Sequence, residues 1–237
     1  MASLTDTLEL ARRGERRALA EILTRLEIGG PGLAETIKAL KPHLQGAQVL
    51  GITGPPGAGK STLVDRLIRS YRARGHRVAV IAVDPTSPVS GGAILGDRVR
   101  MQSASNDDGV FIRSLASRGA LGGLSPAAVR MIDGLDATGF NPILIEPVGT
   151  GQNEIDVAAV ADVRIVLAAP NLGDGIQAMK AGLLEIADIL VVNKADLPGA
   201  DATVEQLKAA QMLTSQKGHG APVLKTSSAD GAGIEDL

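Results

Sequence analysis

The residues that could do chemistry in this chain begin with a glycine-rich stretch, Gly54-Pro55-Pro56-Gly57-Ala58-Gly59-Lys60-Ser61, continued by Thr62. It matches the pattern G-x-x-x-x-G-K-[ST], in which backbone N–H groups converge on phosphate oxygens at a helix N-terminus. We expect Lys60 to bridge the β- and γ-phosphates and the Ser61 hydroxyl to bind Mg²⁺. The alternative, a glycine-rich turn with an incidental lysine, is disfavoured because an apolar strand pattern precedes the motif and a helix pattern follows it.

A second motif, Asn193-Lys194-Ala195-Asp196, follows a short aliphatic run. The Asp196 carboxylate can accept the ring N–H and the exocyclic amine N–H of guanine, a donor pair that adenine lacks. We expect Asn193 to hold the adjacent loop and the base edge, and the stem of Lys194 to pack along the ring. Further on, Ser227-Ser228-Ala229 is expected to meet the guanine carbonyl with a main-chain N–H, with an ordinary strand-to-helix turn as the alternative. The two stretches predict GTP rather than ATP.

Acidic residues at two other predicted strand ends are candidate magnesium ligands. Asp84 and Glu146 each close an aliphatic run, and carboxyl strand ends face the ligand crevice of a doubly wound sheet. Carboxylates suit Mg²⁺, held directly or through water, although a capped strand end is the alternative for each residue alone. Asp97, in the glycine-rich stretch 91–98, could join the metal when that loop closes, or could instead cap a helix.

Two more glycine-containing stretches are candidate switches. Gly149 follows shortly after Glu146, and its N–H could bind a γ-phosphate and swing away after hydrolysis. Residues 171–175 form a second such stretch ahead of Lys180. An ordinary glycine-rich connection is the alternative for both.

The elements that must position these residues alternate along the chain. Seven aliphatic runs are predicted strands, at 49–53, 78–83, 110–114, 142–146, 163–169, 189–193 and 222–226. Helix patterns lie between them, at 60–74, 97–105, 125–137, 175–186 and 201–215. This alternation predicts an α/β fold with a doubly wound, mostly parallel sheet. Residues 4–44 are predicted to be helical with a break at 29–32, so we expect an N-terminal helical extension (1–46) before a G domain (47–237).

Composition excludes several other classes of protein. The 237 residues include no cysteine, three histidines and three aromatic residues, so disulfides, thiol nucleophiles and Cys-ligated zinc are excluded. A net charge of −2 and the few aromatic rings argue against nucleic-acid binding. Neither a signal peptide nor an apolar run of the ~20 residues that span a bilayer is evident. We therefore expect a soluble, cytoplasmic protein with no membrane partner.

These motifs together resemble the P-loop GTPases of the MeaB/ArgK/MMAA family, which are chaperones of adenosylcobalamin-dependent acyl-CoA mutases. The resemblance covers about residues 5–237. It is carried by stretches at 54–62, 83–88, 91–101, 149–154 and 193–196. The stretch 91–101, with its Gly-Gly-Ala-Ile-Leu-Gly-Asp-Arg core, is the most telling because generic GTPases lack it.

The resemblance implies a GTPase that is weakly active alone and stimulated by its mutase. It would gate adenosylcobalamin loading or the ejection of damaged cobalamin, and it would protect the mutase; a cobalamin adenosyltransferase is a further expected partner. The implied magnesium residues are Ser61, Asp84, Asp97 and Glu146. Lys180 matches a lysine that transmits the partner's stimulation, and Gln152 is the candidate for orienting the attacking water. The family is homodimeric, and we expect this chain to lack its C-terminal dimerisation arm.

The chain departs from the family pattern at Pro147, Asn153 and the pair Asn171-Leu172, where threonine, serine and Gly-Ala are usual. These positions fall in the switch regions that contact the mutase. They suggest an isobutyryl- or 2-hydroxyisobutyryl-CoA mutase as partner rather than methylmalonyl-CoA mutase. The alternatives are a nickel-insertion or other metal-centre GTPase, a targeting GTPase of the signal-recognition type, and a small-molecule kinase.

Overall fold

One parallel sheet organises the part of the chain that the structure describes. This computed structural model describes residues 3–84, 107–116, 126–147, 157, 159–172, 181–214 and 220–237. The strands are β1 (Val49–Thr53), β2 (Val78–Asp84), β3 (Val110–Ala116), β4 (Ile143–Pro147), β5 (Val163–Ala168), β6 (Ile189–Val192) and β7 (Val223–Lys225). They are all parallel and lie in the order β3-β2-β4-β1-β5-β6-β7. The predicted α/β class and parallel sheet are confirmed, and each predicted strand is found within two residues of its expected bounds.

Helices cover both faces of this sheet. Before β1 lie α1 (Leu4–Arg12), α2 (Arg16–Ile28), α3 (Leu33–Leu40) and a 3-10 turn (Lys41–His43). The later helices are α4 (Lys60–Ala73), α5 (Pro126–Ala137), α6 (Ala181–Ile186) and α7 (Ala200–Thr214). None of the helices that the structure describes is long and apolar enough to cross a membrane.

The central strands are buried on both faces, which explains their nearly continuous aliphatic sequence. Every residue of β1, β2 and β4 is buried. On β2, Val78 and Val80 pack in one cluster with the apolar side of α4, whereas Ala79 and Ile81 belong to the cluster on the opposite face. Since side chains alternate along a strand, Asp84 lies on the same face as α4.

The N-terminal helices cover the face opposite α4. Leu23 and Leu26 of α2 are fully buried in the same cluster as Met131 of α5 and Ile81 of the sheet. The two helices approach closely at Gly134, where an added methyl group would lie 2.6 Å from a methyl carbon of Leu26. The extension and the sheet therefore share one hydrophobic core, while the assignment of 1–46 and 47–237 as separate units stays a prediction.

A buried carboxylate fixes the connection between the N-terminal helices and β1. Asp136, 7% exposed at the end of α5, accepts hydrogen bonds of 3.0–3.1 Å from the consecutive backbone N–H groups of Gln45, Gly46 and Ala47. These bonds satisfy backbone donors that no strand or helix pairs. The chain therefore enters β1 from a fixed position.

The predicted helical arrangement needs one correction. Only one break, at 29–32, was expected in residues 4–44, but the first of the two predicted helices is divided into α1 and α2 at residues 13–15. Gly14 has a φ of +97°, which reverses the chain direction at low steric cost. The turn lets both helices place apolar residues in the shared core. The predicted helix at 97–105 lies outside the described residues, and of the one at 175–186 the structure describes Ala181–Ile186.

Candidate functional site

The phosphate-binding motif forms the loop between β1 and α4, close to the point where the sheet order reverses. Strand β1 leads through α4 to β2 on one side, whereas β5, β6 and β7 extend on the other. In open α/β sheets, ligands bind outside the carboxyl ends of the strands at such a switch point. The motif therefore lies where the fold provides a crevice.

Two glycines of this loop cannot carry a side chain. Gly54 has a φ of +137°, and a methyl group there would lie 2.4 Å from the backbone oxygen of Leu167. Gly59 has a φ of +90°, and a methyl group there would lie 2.4 Å from Nδ2 of Asn193. Both contacts are far closer than van der Waals separation, so the backbone conformation of the loop requires glycine at both positions.

Lys60 turns back over the loop that precedes it. Its Nζ donates hydrogen bonds to the backbone oxygens of Gly54 at 2.7 Å and Pro55 at 3.3 Å. Within the loop, the N–H of Ala58 donates to the oxygen of Pro55 at 3.2 Å. The ammonium group is thus placed against the inside of the loop, at the N-terminus of α4, where an anion is favoured by the helix dipole.

Two of the four predicted magnesium residues are in contact at the start of α4, and a third lies on the same face of the neighbouring strand. Ser61 Oγ donates a 2.7 Å hydrogen bond to Glu146 Oε1. Glu146 is 1% exposed and Asp84 is fully buried. Ala82 is the register partner of Glu146 on the neighbouring strand, so Asp84, two residues further on, shares the face of Glu146 and of α4.

A hydroxyl and two carboxylates are a donor set that fits Mg²⁺. This ion prefers oxygen ligands, keeps several waters and is bound in phosphate sites by few protein groups. Among the residues that the structure describes, no group of three or more His, Cys, Asp or Glu side chains could hold a metal ion.

Asn193 joins three loops of the site. It is 1% exposed, and its Nδ2 donates to the backbone oxygen of Ala58 in the phosphate loop at 2.9 Å. Its Oδ1 accepts from Thr226 Oγ1 at 3.2 Å, from Ser228 N at 3.2 Å and from Ser228 Oγ at 2.8 Å. The expected role of Asn193 in holding the adjacent loop matches these contacts, which also extend to the loop after β7.

Asp196 lies at the surface, beside the loop that follows β7. Its Oδ1 accepts a 2.9 Å hydrogen bond from Ser227 Oγ, and Ser227 is itself 2% exposed. The backbone N–H of Ala195 donates to the oxygen of Thr226 at 3.0 Å. Lys194 adopts a left-handed conformation with a φ of +56°. The structure thus brings together the two stretches that were predicted to bind guanine, although Ser227 follows Asp196 by 31 residues in the chain.

The loop after β7 is held by its own side chains as well. Asp230 accepts a hydrogen bond from the backbone N–H of Ala232 at 3.0 Å. This bond keeps the pKa of the Asp230 carboxyl below its ordinary value. The carboxyl therefore stays ionised at neutral pH and fixes the turn that begins at Ser227.

Four predicted site residues lie outside the described residues: Asp97, Gly149, Gln152 and Lys180. Their assignments stay predictions. Arg66 of α4 contacts the site although no sequence motif includes it: its Nε donates to the backbone oxygen of Ser228 at 2.8 Å. Nothing in the sequence around Arg66 indicates a partner so far along the chain.

The doubly wound sheet, the glycine-dependent phosphate loop and the linked Asn193 and Asp196 stretches define a P-loop GTPase. Comparison with known proteins gives the family. The family model described as "Methylmalonyl Co-A mutase-associated GTPase MeaB" matches residues 19–237. The chain therefore belongs to the MeaB family of GTPases, as its motifs predicted.

Two relatives illustrate this relationship. A putative GTPase of Pyrococcus horikoshii is 48% identical over 241 residues, which cover 100% of this chain and 76% of that protein. The mitochondrial methylmalonic aciduria type A homolog of Mus musculus is 35% identical, over 95% of this chain and 59% of that protein.

Solved structures agree with the fold. The crystal structure of a protein named LAO/AO transport system kinase has a TM-score of 0.76 and 28% identity, covering 98% of this chain and 72% of that chain. The nickel complex of HypB from Helicobacter pylori has a TM-score of 0.60 and 21% identity, over 86% of this chain and 88% of that chain. At that identity the HypB likeness shows the fold alone.

Proposed function

We propose that this GTPase binds Mg²⁺-GTP and uses its hydrolysis to gate adenosylcobalamin loading into an adenosylcobalamin-dependent acyl-CoA mutase, which it also protects and reactivates. The observation that carries the proposal is the match of residues 19–237 to a family described by its association with methylmalonyl-CoA mutase. A cobalamin adenosyltransferase is a further proposed partner, and the cytoplasm is the proposed location.

Nucleotide binding requires Lys60 to exchange partners. Its bonds to the backbone oxygens of Gly54 and Pro55 keep the ammonium group where phosphate oxygens would converge. Charge-assisted bonds to β- and γ-phosphate oxygens are stronger than bonds to neutral carbonyls. Lys60 therefore contributes to affinity for the triphosphate and to stabilising the charge that develops on it during hydrolysis.

Ser61, Asp84 and Glu146 would hold the magnesium ion, directly or through its waters. Bound there, the ion would neutralise charge on the β- and γ-phosphates. Asp97 is proposed as a further magnesium residue and Gln152 as the residue that orients the attacking water. Phosphoryl transfer depends on positioning and charge more than on proton abstraction, so no general base is assigned.

The remaining switch assignments explain how a partner could control the cycle. Gly149 is proposed to sense the γ-phosphate, and Lys180 to transmit the stimulation by the mutase. Leu172, one of the departures from the family pattern, lies against the phosphate loop: a methyl group at Gly57 would lie 3.5 Å from its Cδ2. A partner that contacts this region could thus influence the phosphate loop through a direct contact.

Guanine recognition is tested by replacing Asp196 with asparagine. A carboxylate that accepts two N–H groups is lost, so the preference for GDP over ADP, measured by titration calorimetry, should fall by about tenfold or more. The matched control is Asp201→Asn, an exposed carboxylate that pairs with Lys225 at 2.9 Å. Unchanged selectivity in Asp196→Asn would contradict the assignment of the base site.

The partner is tested by measuring GTP hydrolysis with a panel of mutases: methylmalonyl-, isobutyryl- and 2-hydroxyisobutyryl-CoA mutase. We propose that one of the last two stimulates hydrolysis, because Pro147, Asn153 and Asn171-Leu172 differ from the usual family residues. Stimulation by methylmalonyl-CoA mutase alone would contradict this choice, and no stimulation by any of them would contradict the chaperone role. Lys60→Ala serves as the control for hydrolysis that does not come from this site.

The nickel-insertion alternative receives support only from the likeness of fold to HypB. Nickel insertion requires ligands for the metal, and the chain has no cysteine and only three separated histidines. The mutase role is therefore the better supported proposal.

A further inference from the structure

One face of α4 holds the predicted guanine loop and the chain segment that follows it. Arg66, Ser70 and Arg74 are spaced by four residues, so they lie above one another along this helix and its C-cap. Arg66 donates to the backbone oxygens of Ser228 and Ala229. Ser70 Oγ donates to Glu235 Oε1 at 2.8 Å, and Arg74 forms an ion pair with the same carboxylate.

Apolar residues of the same helix also pack against this segment. Ile234, 6% exposed, lies in one cluster with Leu63, Val64 and Leu67 of α4. The turn before it is tightly folded against β7, because a methyl group at Gly233 would lie 2.1 Å from the backbone oxygen of Lys225. The loop is therefore anchored to α4 on both sides of its turn.

The hydrogen bond from Arg66 to the Ser228 carbonyl determines the direction in which the Ala229 N–H points. The carbonyl of Ser228 and the N–H of Ala229 belong to one planar, trans peptide group, so they point in opposite directions. Because the carbonyl is held towards α4, the Ala229 N–H is aimed away from α4. A charged donor on the carbonyl also polarises the peptide, which makes its N–H a stronger donor.

The other side of this loop faces the predicted base site. Ser227 Oγ binds Asp196, and the N–H of Ser228 binds the buried Oδ1 of Asn193. Arg66 thus holds the carbonyl of the peptide between Ser228 and Ala229, while the residues just before that carbonyl are held by Asn193 and Asp196. Because the backbone of this loop is held by these hydrogen bonds, the direction of the Ala229 N–H can vary little.

We propose that Arg66 is a positioning residue for base specificity, which aims the Ala229 N–H at the 6-oxo group of a guanine nucleotide. The inference rests on the proposed function, and it divides base recognition into two separable parts. Asp196 selects for the ring N–H and the 2-amino group, whereas Arg66, acting through Ala229, selects for the carbonyl at position 6.

Three nucleoside diphosphates distinguish the two parts. GDP carries both features, IDP lacks the 2-amino group, and 2-aminopurine riboside diphosphate lacks the 6-oxo group together with the ring N–H. Because Asp196 is the same in the wild type and in an Arg66 variant, a change in the preference for GDP over the 2-aminopurine nucleotide reports the contact with the 6-oxo group. In Arg66→Ala, the preference for GDP over the 2-aminopurine nucleotide should fall by about five- to tenfold, the effect of losing one oriented hydrogen bond. The preference for GDP over IDP should stay unchanged, since Asp196 is not altered.

Two further variants serve as controls. Arg69→Ala removes an arginine from the same helix, where it pairs with Asp65 at 2.9 Å, and it should change neither ratio. Arg66→Lys keeps the charge but lacks the planar fork that serves two carbonyls, so it should recover only part of the lost selectivity. Urea unfolding of each variant without nucleotide checks that the fold is intact.

The outcomes separate the inference from the function on which it rests. If the wild-type chain prefers GDP to the 2-aminopurine nucleotide and Arg66→Ala keeps that preference, the role of Arg66 is refuted and base recognition stands. Equal losses of both ratios would also refute it, because they indicate general damage to the site. A wild-type chain without any preference for GDP would refute the proposed base recognition together with the inference.

Discussion

Replacing Asn193 with alanine should destabilise the folded protein by several kcal/mol. Asn193 is 1% exposed and joins the phosphate loop to the loop after β7. Of the groups that it pairs, the hydroxyls of Thr226 and Ser228 can rotate towards other acceptors. The backbone oxygen of Ala58 and the backbone N–H of Ser228 cannot.

The magnitude follows from those two backbone groups. A buried polar group left without its hydrogen bond costs about 1–3 kcal/mol, so the variant should lose about 2–6 kcal/mol of unfolding free energy. Domains of this kind have a total stability of about 5–15 kcal/mol, so the loss would be a large part of the whole. Affinity for GDP should fall as well, because the phosphate loop loses its bond to the base-binding stretch.

The assay is urea unfolding followed by circular dichroism, without nucleotide, so that binding does not alter the apparent stability. Asn141→Ala is the matched control: Asn141 is exposed, and its Oδ1 accepts one hydrogen bond, from the N–H of Gln48 at 3.1 Å. The control variant should lose about 1 kcal/mol or less of unfolding free energy. A loss below about 1 kcal/mol for Asn193→Ala, or one equal to the control, would refute the reasoning from buried backbone groups.

Three other changes have definite expected results. Lys60→Ala should weaken GDP binding at least about tenfold in calorimetry, because the phosphates lose a cation that pairs with them. The urea midpoint should stay near that of the wild type. Unchanged affinity for GDP would contradict the assignment of the phosphate loop. Asp136→Ala should lower the unfolding free energy by about 2–4 kcal/mol, because the backbone N–H groups of residues 45–47 lose their acceptor. A variant as stable as the wild type would contradict this, since water would then serve as the acceptor in place of the carboxylate. Asp188→Asn should cost about 1 kcal/mol or less at pH 7, since the ion pair with Arg164 is partly exposed. The hydrogen bond from Arg164 lowers the pKa of Asp188 below its ordinary 3.8, so this contribution is present above that pH and lost as pH falls through the lower folded-state pKa; a difference from wild type that persists in acid would contradict this.

The motifs that could be predicted from the sequence are those whose geometry is local. The loop from Gly54 to Ser61 is contiguous, and its glycines, lysine and hydroxyl are positioned by the strand before it and the helix after it. The strands were predictable because burial on both faces requires continuous aliphatic runs, such as Val78–Asp84. The turn at Gly14 was missed since one glycine inside an otherwise helical pattern does not by itself end a helix.

Other features depend on which strands become neighbours. The order β3-β2-β4-β1-β5-β6-β7 places Glu146 beside β2 and close to Ser61, 85 residues earlier in the chain. A single sequence shows that Glu146 and Ser61 are present, but it does not give the distance between them in the folded protein. The magnesium assignment was therefore a hypothesis that only the packed sheet could test for proximity.

By itself, the sequence determined the class of fold, the phosphate loop and the choice of a guanine nucleotide, because short-range patterns and side-chain chemistry are sufficient for them. Only the tertiary structure decided that Asn193 joins three loops and that Arg66 holds the backbone of Ser228, 162 residues away. Contacts of this kind join a side chain to backbone atoms. Every residue type has those atoms, so no pattern in the sequence marks the partner.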